Sequence, residues 1–216
     1  MTFAFSGAEV PTNYYVDGFN LYYRALKHGP NRWLDLSALF NSIYPQHQMH
    51  RIRYFTSMVS GSSDPGAPIR QGLYLRALAT TPSLTFHYGQ FNRNPVRRPP
   101  VDPSIADPDG CVGVWDTKEK GSDVNLASML LLDAHKDDFE AAIVVTNDSD
   151  LVLPVQLVAS VFQKPVGILE PSKKRSESLY RVASSYRFLH RAELAASQFP
   201  ATLTDASGTF SKPPTW

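Results

Sequence analysis

The chain has 216 residues, 43% of them apolar and 19% charged, so it can bury one ordinary domain core and is not a disordered chain. Its 21 Lys and Arg residues nearly balance its 20 Asp and Glu residues. The resulting net charge of +1 excludes a general polycation and an acidic tail protein.

Targeting and redox features point to the cytoplasm. Residues 1–10 lack the basic start and apolar run of a secretory signal, and no apolar run approaches the roughly 18 residues of a membrane span. Cys111 is the only cysteine, which excludes an intrachain disulfide and a thiolate zinc site. We therefore expect a cytoplasmic protein with no membrane partner.

Short apolar runs rich in β-branched residues alternate with segments of helical spacing. In chain order, strands are predicted at residues 13–16, 51–59, 84–88, 111–115, 141–146, 166–169 and 186–189, and helices at residues 21–27, 36–43, 69–79, 124–135, 151–162 and 178–183. The run Ala-Ala-Ile-Val-Val-Thr at 141–146 is typical of a strand buried on both faces. This alternation predicts an α/β fold, with a mostly parallel central sheet flanked by helices.

A single domain is predicted over residues 1–196, with its core at about residues 13–170. Residues 90–110 carry five prolines, which forbid a regular helix and predict an inserted long loop or irregular hairpin. Residues 197–216 are polar and are predicted to form a frayed C-terminal tail.

Acidic side chains follow the predicted strand-to-helix junctions. Asp17 follows the first strand, Asp123 precedes the helix at 124–135, and Asp148 and Asp150 follow the buried strand. Each alone is well explained as a helix cap. Asp17 and Asp148 would nevertheless crowd on the sheet edge where open α/β sheets bind ligands, and adjacent carboxylates repel unless a cation lies among them. Because Mg²⁺ and Mn²⁺ prefer such oxygen ligands, the pattern predicts a site for one of these ions.

The acidic residues belong to three short motifs, which are Tyr15-Val16-Asp17-Gly18-Phe19-Asn20-Leu21, Lys120-Gly121-Ser122-Asp123-Val124 and Thr146-Asn147-Asp148-Ser149-Asp150-Leu151. In this order they resemble the motifs of NYN domains of the bacterial type, which belong to the PIN-like ribonuclease superfamily. The resemblance covers residues 13–170, and residues 194–216 are also similar to the end of bacterial members. It implies a three-layer, Rossmann-like PIN fold and a Mg²⁺- or Mn²⁺-dependent (endo)ribonuclease, a hydrolase that cuts phosphodiester bonds in RNA.

The resemblance also implies roles for individual side chains. Four carboxylates match the family's acidic positions and would bind the metal and catalyse, with metal-bound hydroxide as the nucleophile: Asp17, Asp123, Asp148 and Asp150. Four neighbours would contact the phosphate or orient the ligands: Asn20, Lys120, Thr146 and Ser149. Local capping and ordinary solvation are the open alternatives for these neighbours.

Cationic side chains are concentrated in two loops. Arg93, Arg97 and Arg98 lie in the proline-rich insertion, and Lys173, Lys174 and Arg175 follow the strand at 166–169. Cations near aromatic residues suit single-stranded nucleic acid, so RNA is the expected partner and DNA stays an alternative. The three arginines are candidate contacts to it. Solvated loop charge is the other interpretation.

Single residues argue against three rival sites. A haloacid-dehalogenase-like phosphatase needs a second acidic residue at the position of Phe19. An NTPase-type phosphate loop needs Lys and Ser or Thr at the positions of Ala67 and Pro68. A dinucleotide site is not supported, because no Gly-x-Gly-x-x-Gly follows the first strand. A non-catalytic PIN-like module that binds RNA or a protein remains an alternative, as does a metal-dependent phosphatase or DNA nuclease. The sequence does not predict the oligomeric state.

Overall fold

The structure is a computed structural model that describes residues 9–62 and 64–216. Its strands are β1 (Val10–Asp17), β2 (His47–Thr56), β3 (Leu84–Tyr88), β4 (Gln90–Arg98), β5 (Val112–Lys120), β6 (Ala141–Val145), β7 (Val166–Glu170), β8 (Ser185–Phe188), β9 (Thr202–Asp205) and β10 (Gly208–Ser211). Its α-helices are α1 (Gly18–Leu21), α2 (Leu36–Ile43), α3 (Ala67–Leu78), α4 (Ser122–His135), α5 (Val152–Ser160), α6 (Glu177–Val182) and α7 (Arg191–Ala196).

Six strands form the central sheet in the order β3-β2-β1-β6-β7-β8, and every neighbouring pair is parallel. The chain builds the sheet outward from β1 in both directions, so the order of strands reverses between β1 and β6. In open parallel sheets this reversal leaves a crevice at the carboxyl ends of the two strands, and ligands bind there.

Helices cover both faces of the sheet. Side chains of β1 alternate between the faces, with Tyr14 in one apolar core beside α2, α3 and α7, and Tyr15 in the other beside α4, α5 and α6. The predicted α/β, three-layer, Rossmann-like architecture is therefore confirmed. Within the described ranges, no helix is both long and apolar enough to cross a membrane. Residues 1–8, on which the expectation about a secretory signal rests, lie outside the described residues.

The proline-rich insertion is more regular than predicted. Strands β4 and β5 pair antiparallel over their whole length, from Gln90 opposite Lys120 to Arg98 opposite Val112, and form a two-stranded arm. The prolines fit because most of them fall in the connection after Arg98, while Pro95 lies in a ribbon whose strands each have one unpaired edge. The predicted strand at 111–115 consequently extends to Lys120.

Residues 197–216 pack on the domain, which differs from the predicted frayed tail. Strands β9 and β10 form a hairpin, and Phe199 and Phe210 are buried against Trp33. The Trp33 indole N–H donates a hydrogen bond to the Pro200 carbonyl at 2.9 Å. The apolar anchors of this segment are too widely spaced to give a strand or helix pattern, which is why its polar composition misled the prediction.

A buried ion pair ties the sheet to α4. Arg53 of β2 donates two hydrogen bonds to Asp133, at 2.6 and 2.7 Å, and the Tyr15 hydroxyl donates a third at 2.7 Å. Asp133 is almost fully buried. Since all hydrogen bonds to the Asp133 side chain come from β1 and β2, this pair helps to fix the position of α4, which carries one of the acidic residues described below.

Candidate functional site: an acidic edge and a basic cleft

Asp17 is the last residue of β1, and its side chain is held from two directions. The Asn20 backbone N–H donates to Oδ1 at 2.9 Å, and the Thr146 hydroxyl donates to Oδ2 at 3.2 Å. The next residue has to be glycine, because a Cβ at Gly18 would lie 2.7 Å from the Phe55 carbonyl oxygen and from the Tyr54 ring. The Asp-Gly pair therefore lets the chain turn into α1 while the carboxylate stays at the strand end.

The ends of β1 and β6 are linked by hydrogen bonds. The Asn20 side-chain oxygen accepts from the Asn147 N–H at 3.1 Å, and the Thr146 hydroxyl accepts from the Asp148 N–H at 3.1 Å. Asp148 in turn accepts from the Asp150 N–H at 3.0 Å, as a helix cap does. Asn20 and Thr146 thus position the carboxylates of the two neighbouring strands.

The third carboxylate comes from the first turn of α4. Gly121 has a φ of +98°, a left-handed conformation that favours glycine, and it turns the chain from β5 so that Asp123 enters the helix. Glu119, which the sequence analysis missed, accepts hydrogen bonds from the hydroxyls of Ser57 at 2.7 Å and Ser122 at 2.8 Å. No sequence signal singled it out, because the predicted strand ended at residue 115.

These side chains line one open pocket of about 310 Å³, which we call the acidic edge. The structure brings together three of the four predicted acids there, Asp17, Asp123 and Asp148. Asp150 is exposed and does not line the pocket, although its charge reaches Asp123. The complete lining is Asp17, Phe19, Asn20, Tyr23, Arg24, Glu119, Ser122, Asp123 and Asp148.

The electrostatics of the acidic edge disfavour ionised carboxylates in the metal-free protein. Asp17 is only 4% exposed, and burial raises its pKa to about 7, with the charges of Asp123 and Asp148 adding to the rise. Burial, followed by the charges of Asp148 and Glu119, also raises the pKa of Asp123. Neither Asp17 nor Asp123 forms an ion pair with any residue that the structure describes. A bound cation would remove this repulsion.

The donor set suits a hard divalent ion. Within residues 9–62 and 64–216, no three His, Cys, Asp or Glu side chains form a ready-made metal-binding group. Mg²⁺, however, commonly takes only one or two carboxylates and completes its shell with water and substrate oxygens. Buried Asp17 together with Asp148 or Asp123 meets that requirement, and the residues present therefore fit Mg²⁺ or Mn²⁺.

A second open cleft, of about 570 Å³, adjoins the acidic edge and shares Tyr23 and Arg24 with it. We call it the basic cleft, since it contains four cations and no carboxylate: Arg24, Lys173, Lys174 and Arg175. Arg175 pairs with Glu177, whereas the other three form no ion pair in the described part of the chain. Asn147 and Ser149 lie in the same lining, and Arg24 is a further residue that the sequence analysis missed.

The arginines of the insertion do not reach either cleft. Arg97 pairs with Asp107 and Asp109, and Arg98 pairs with Asp116. Arg93 lies over the Trp115 ring, 4.5 Å from its centroid. Lys120 is exposed at the end of β5 and lines neither cleft. The predicted cluster of Arg93, Arg97 and Arg98 is thus directed to partners within the arm.

The chain is similar to a curated protein and to a solved structure. No protein-family model matches the chain. The chain is similar to 6-hydroxy-3-succinoylpyridine 3-monooxygenase HspA of Pseudomonas putida strain DSM 28022 / S16, with 29% identity over 95% of this chain and 75% of that protein. It is also similar to the crystal structure of a protein of unknown function from Vibrio parahaemolyticus RIMD 2210633. That likeness has a TM-score of 0.58 at 17% identity, over 87% of this chain and 98% of the other, and shows the fold alone.

The relative's name corrects one prediction. A monooxygenase is an oxidoreductase, whereas the sequence motifs predicted a Mg²⁺- or Mn²⁺-dependent (endo)ribonuclease, a hydrolase acting on ester bonds. The enzyme class inferred from the motifs is therefore contradicted. The motifs located a carboxylate site at the sheet edge, but carboxylates alone do not specify which reaction occurs beside them.

Proposed function

We propose that this protein is a metal-dependent nucleic-acid-binding protein: the acidic edge holds Mg²⁺ or Mn²⁺, and the basic cleft beside it binds the phosphates of single-stranded RNA. The observation that carries the proposal is the contact between two oppositely charged clefts. Carboxylates line one of them, cations line the other, and Tyr23 and Arg24 belong to both.

Asp17, Asp148 and Asp123 would hold the ion, and the ion would supply positive charge to a phosphate at an otherwise acidic surface. Asn20 and Thr146 keep the carboxylates of β1 and β6 in place through their hydrogen bonds. Arg24 lies at the junction of the clefts and can contact the same phosphate without a competing ion pair in the described chain.

The basic cleft would continue along the nucleic-acid backbone. Lys173 and Lys174 follow β7 on a short loop, and the loop is anchored by the Ser172 hydroxyl, which donates to the Lys174 carbonyl at 2.7 Å. Tyr23 is exposed and offers a ring on which a base can stack. RNA is preferred over DNA because of the motif resemblance, so DNA of the same sequence belongs in the test.

The test is fluorescence anisotropy with an end-labelled single-stranded RNA of about 12 nucleotides, within the site sizes typical of such grooves. We expect Mg²⁺ to tighten binding at least tenfold relative to EDTA. Asp148→Asn should abolish that increment and leave the EDTA value nearly unchanged. The double variant Lys173→Gln and Lys174→Gln should weaken binding in both buffers. It should also reduce the slope of log affinity against log salt concentration, by about 0.7 for each phosphate that the variant no longer neutralises.

Arg97→Gln is the matched control, since it removes a cation that is already paired on the arm. Equal affinity with and without Mg²⁺ would refute the role of the acidic edge. An Arg97→Gln loss as large as that of the double lysine variant would refute the role of the basic cleft.

A second candidate function is oxygenation of a small aromatic compound. It is favoured by the similarity to HspA, whose name specifies a 6-hydroxy-3-succinoylpyridine substrate, and by the aromatic rings of Phe19 and Tyr23 in the acidic edge. A monooxygenase inserts one atom of O₂ into its substrate and reduces the other to water with two electrons from a donor.

The second candidate is tested in an oxygen electrode with 6-hydroxy-3-succinoylpyridine, a two-electron donor and either Mn²⁺ or Fe²⁺. Substrate-dependent oxygen uptake that is lost in Asp148→Asn would favour this candidate over RNA binding. Uptake that is the same with and without the pyridine would reject it.

A further inference from the structure

A second cavity of about 310 Å³ lies beside the acidic edge and shares Phe19 and Tyr23 with it. It is enclosed by α1 and the π-helical turn Tyr22–Leu26, by the end of β2, by the first turns of α3 and by Trp216. Its volume is at the lower end of the range of about 300–1,000 Å³ that is usual for small-molecule sites. We call it the aromatic cavity.

Aromatic rings form much of its wall. Tyr54 and Tyr74 meet edge to face with ring centroids 6.5 Å apart, and Tyr74 meets Trp216 in the same way at 5.7 Å. Tyr22 and Tyr23 add a further edge-to-face pair at 5.3 Å. Rings in this arrangement favour a planar aromatic guest, which can stack on some of them and meet the edges of others.

Two donors at this cavity have no acceptor. The Tyr54 side chain is 5% exposed, and its hydroxyl forms no hydrogen bond with any residue that the structure describes. Arg32 donates from its terminal nitrogens to the carbonyls of Lys27 at 2.7 Å and Thr215 at 3.3 Å, but its buried Nε has no partner in the described chain. Because buried polar groups are nearly always hydrogen-bonded, the unpaired Arg32 Nε is unusual, and the Tyr54 hydroxyl at the cavity wall is a second donor that is free to bond an acceptor oxygen of a ligand.

The charge of the lining selects an anion. Among the described residues it contains the cations Lys27, Arg32 and Arg70 and one carboxylate, Asp64. Asp64 is already bound by Arg70. Lys27 and Arg32 therefore remain without a carboxylate partner in the described part of the chain.

We propose that the aromatic cavity binds a small aromatic carboxylate. The ring lies among Tyr22, Tyr54, Tyr74 and Trp216, and the carboxylate accepts hydrogen bonds from Arg32 and Tyr54 near the Lys27 charge. This site goes beyond the proposed binding of metal and RNA, because none of the acidic residues Asp17, Asp123 and Asp148 lines it.

The experiment is isothermal titration of the full chain with 4-hydroxybenzoate in EDTA, alongside the intrinsic tryptophan fluorescence. Two matched probes separate the features that the cavity recognises: 4-hydroxybenzamide has the ring without the charge, and 4-hydroxycyclohexanecarboxylate has the charge without the aromatic ring. We expect 4-hydroxybenzoate to bind at least tenfold more tightly than either.

Tyr54→Phe is the most useful variant, since it removes an unbonded hydroxyl and leaves the ring in place. It should weaken binding about fivefold, the usual effect of removing one hydrogen bond. Arg32→Gln should weaken binding more, with a thermal melt to show that the variant is folded. Arg93→Gln, on the arm and outside the cavity lining, is the control and should bind like the wild type.

Absence of binding by 4-hydroxybenzoate, or equal binding of the amide or of the non-aromatic acid, overturns the proposal. An affinity that is unchanged in both Tyr54→Phe and folded Arg32→Gln overturns it as well. Binding should persist in Asp148→Asn. A failure of the aromatic-carboxylate proposal is therefore distinguishable from a failure of the metal and RNA proposal, because the RNA-binding test contains no aromatic carboxylate.

Discussion

Replacing Asp17 by asparagine should stabilise the metal-free protein at neutral and alkaline pH. In the unfolded chain this carboxyl has its ordinary pKa of 3.8, and burial raises the pKa to about 7 in the folded protein. Between these two values the folded state holds a proton that the unfolded state has lost. The wild-type free energy of unfolding should therefore fall as pH rises from about 4 to about 7, by up to about 1.4 kcal/mol per pH unit, and then level off.

The accumulated loss is about 4 kcal/mol above pH 7, and the 4% exposure of Asp17 means that solvent does little to reduce it. The asparagine keeps an oxygen for the Asn20 N–H but turns an amide N–H₂ toward the Thr146 hydroxyl, a mismatch that costs about 1 kcal/mol. We therefore expect Asp17→Asn to be about 3 kcal/mol more stable than the wild type at pH 8, and equal to it or slightly less stable at pH 4.

The assay is urea denaturation in EDTA at pH 4, 5, 6, 7 and 8, followed by circular dichroism. Asp150→Asn is the control, because it removes a carboxylate from the same region that is exposed rather than buried, and it should change stability by less than about 0.5 kcal/mol at every pH. If Asp17→Asn and the wild type show parallel pH profiles, the buried carboxyl does not carry the electrostatic cost inferred for it.

Three further predictions concern the metal and the packing. Mn²⁺ affinity, measured by titration, should rise about tenfold per pH unit up to about pH 7 and then level off, because binding displaces the Asp17 proton; a flat profile from pH 5.5 to 8 would contradict this. Asp133→Ala should lower the free energy of unfolding by about 3–5 kcal/mol, since it leaves the Arg53 charge without its partner, and a loss below about 1 kcal/mol in urea denaturation would disprove that role. Phe210→Ala should destabilise the protein by about 3 kcal/mol, whereas a truly frayed segment would give no change in the thermal melt.

The sequence predicted the parts of the fold that depend on local periodicity. The run at 141–146 was recognised because it is apolar without interruption up to Val145, as in a strand buried on both faces, and the helix at Leu36–Ile43 was recognised because its apolar residues repeat at helical spacing. The arm was not recognised, because a two-stranded ribbon has only a weak hydrophobic pattern. The packing of segment 197–216 was not recognised either, because Phe199, Phe210 and Trp216 contact Trp33 only in the tertiary structure.

The same distinction applies to the site. Asp17 and Asp148 were predictable, since parallel strands deliver their final residues to one edge. Glu119 and Arg24 were not predictable as site residues. The position of Glu119 depends on the length of β5, and the position of Arg24 depends on a π-helical turn after α1. Arg97 was misplaced for a related reason: its partners, Asp107 and Asp109, are across the hairpin, and a pairing of that kind is invisible until the register of the arm is known.

The most direct test of the central claim is Mn²⁺ binding followed by electron paramagnetic resonance, in which protein-bound Mn²⁺ loses the signal of the free ion. We predict that the wild type binds Mn²⁺ at pH 7.5 and that Mg²⁺ competes for the same site. Asp17→Asn and Asp148→Asn should both lose Mn²⁺ binding, whereas Arg97→Gln should keep it. Wild-type protein that leaves the free-ion signal unchanged, or an Asp17→Asn variant that binds as tightly as the wild type, would contradict the assignment of the acidic edge as a metal site.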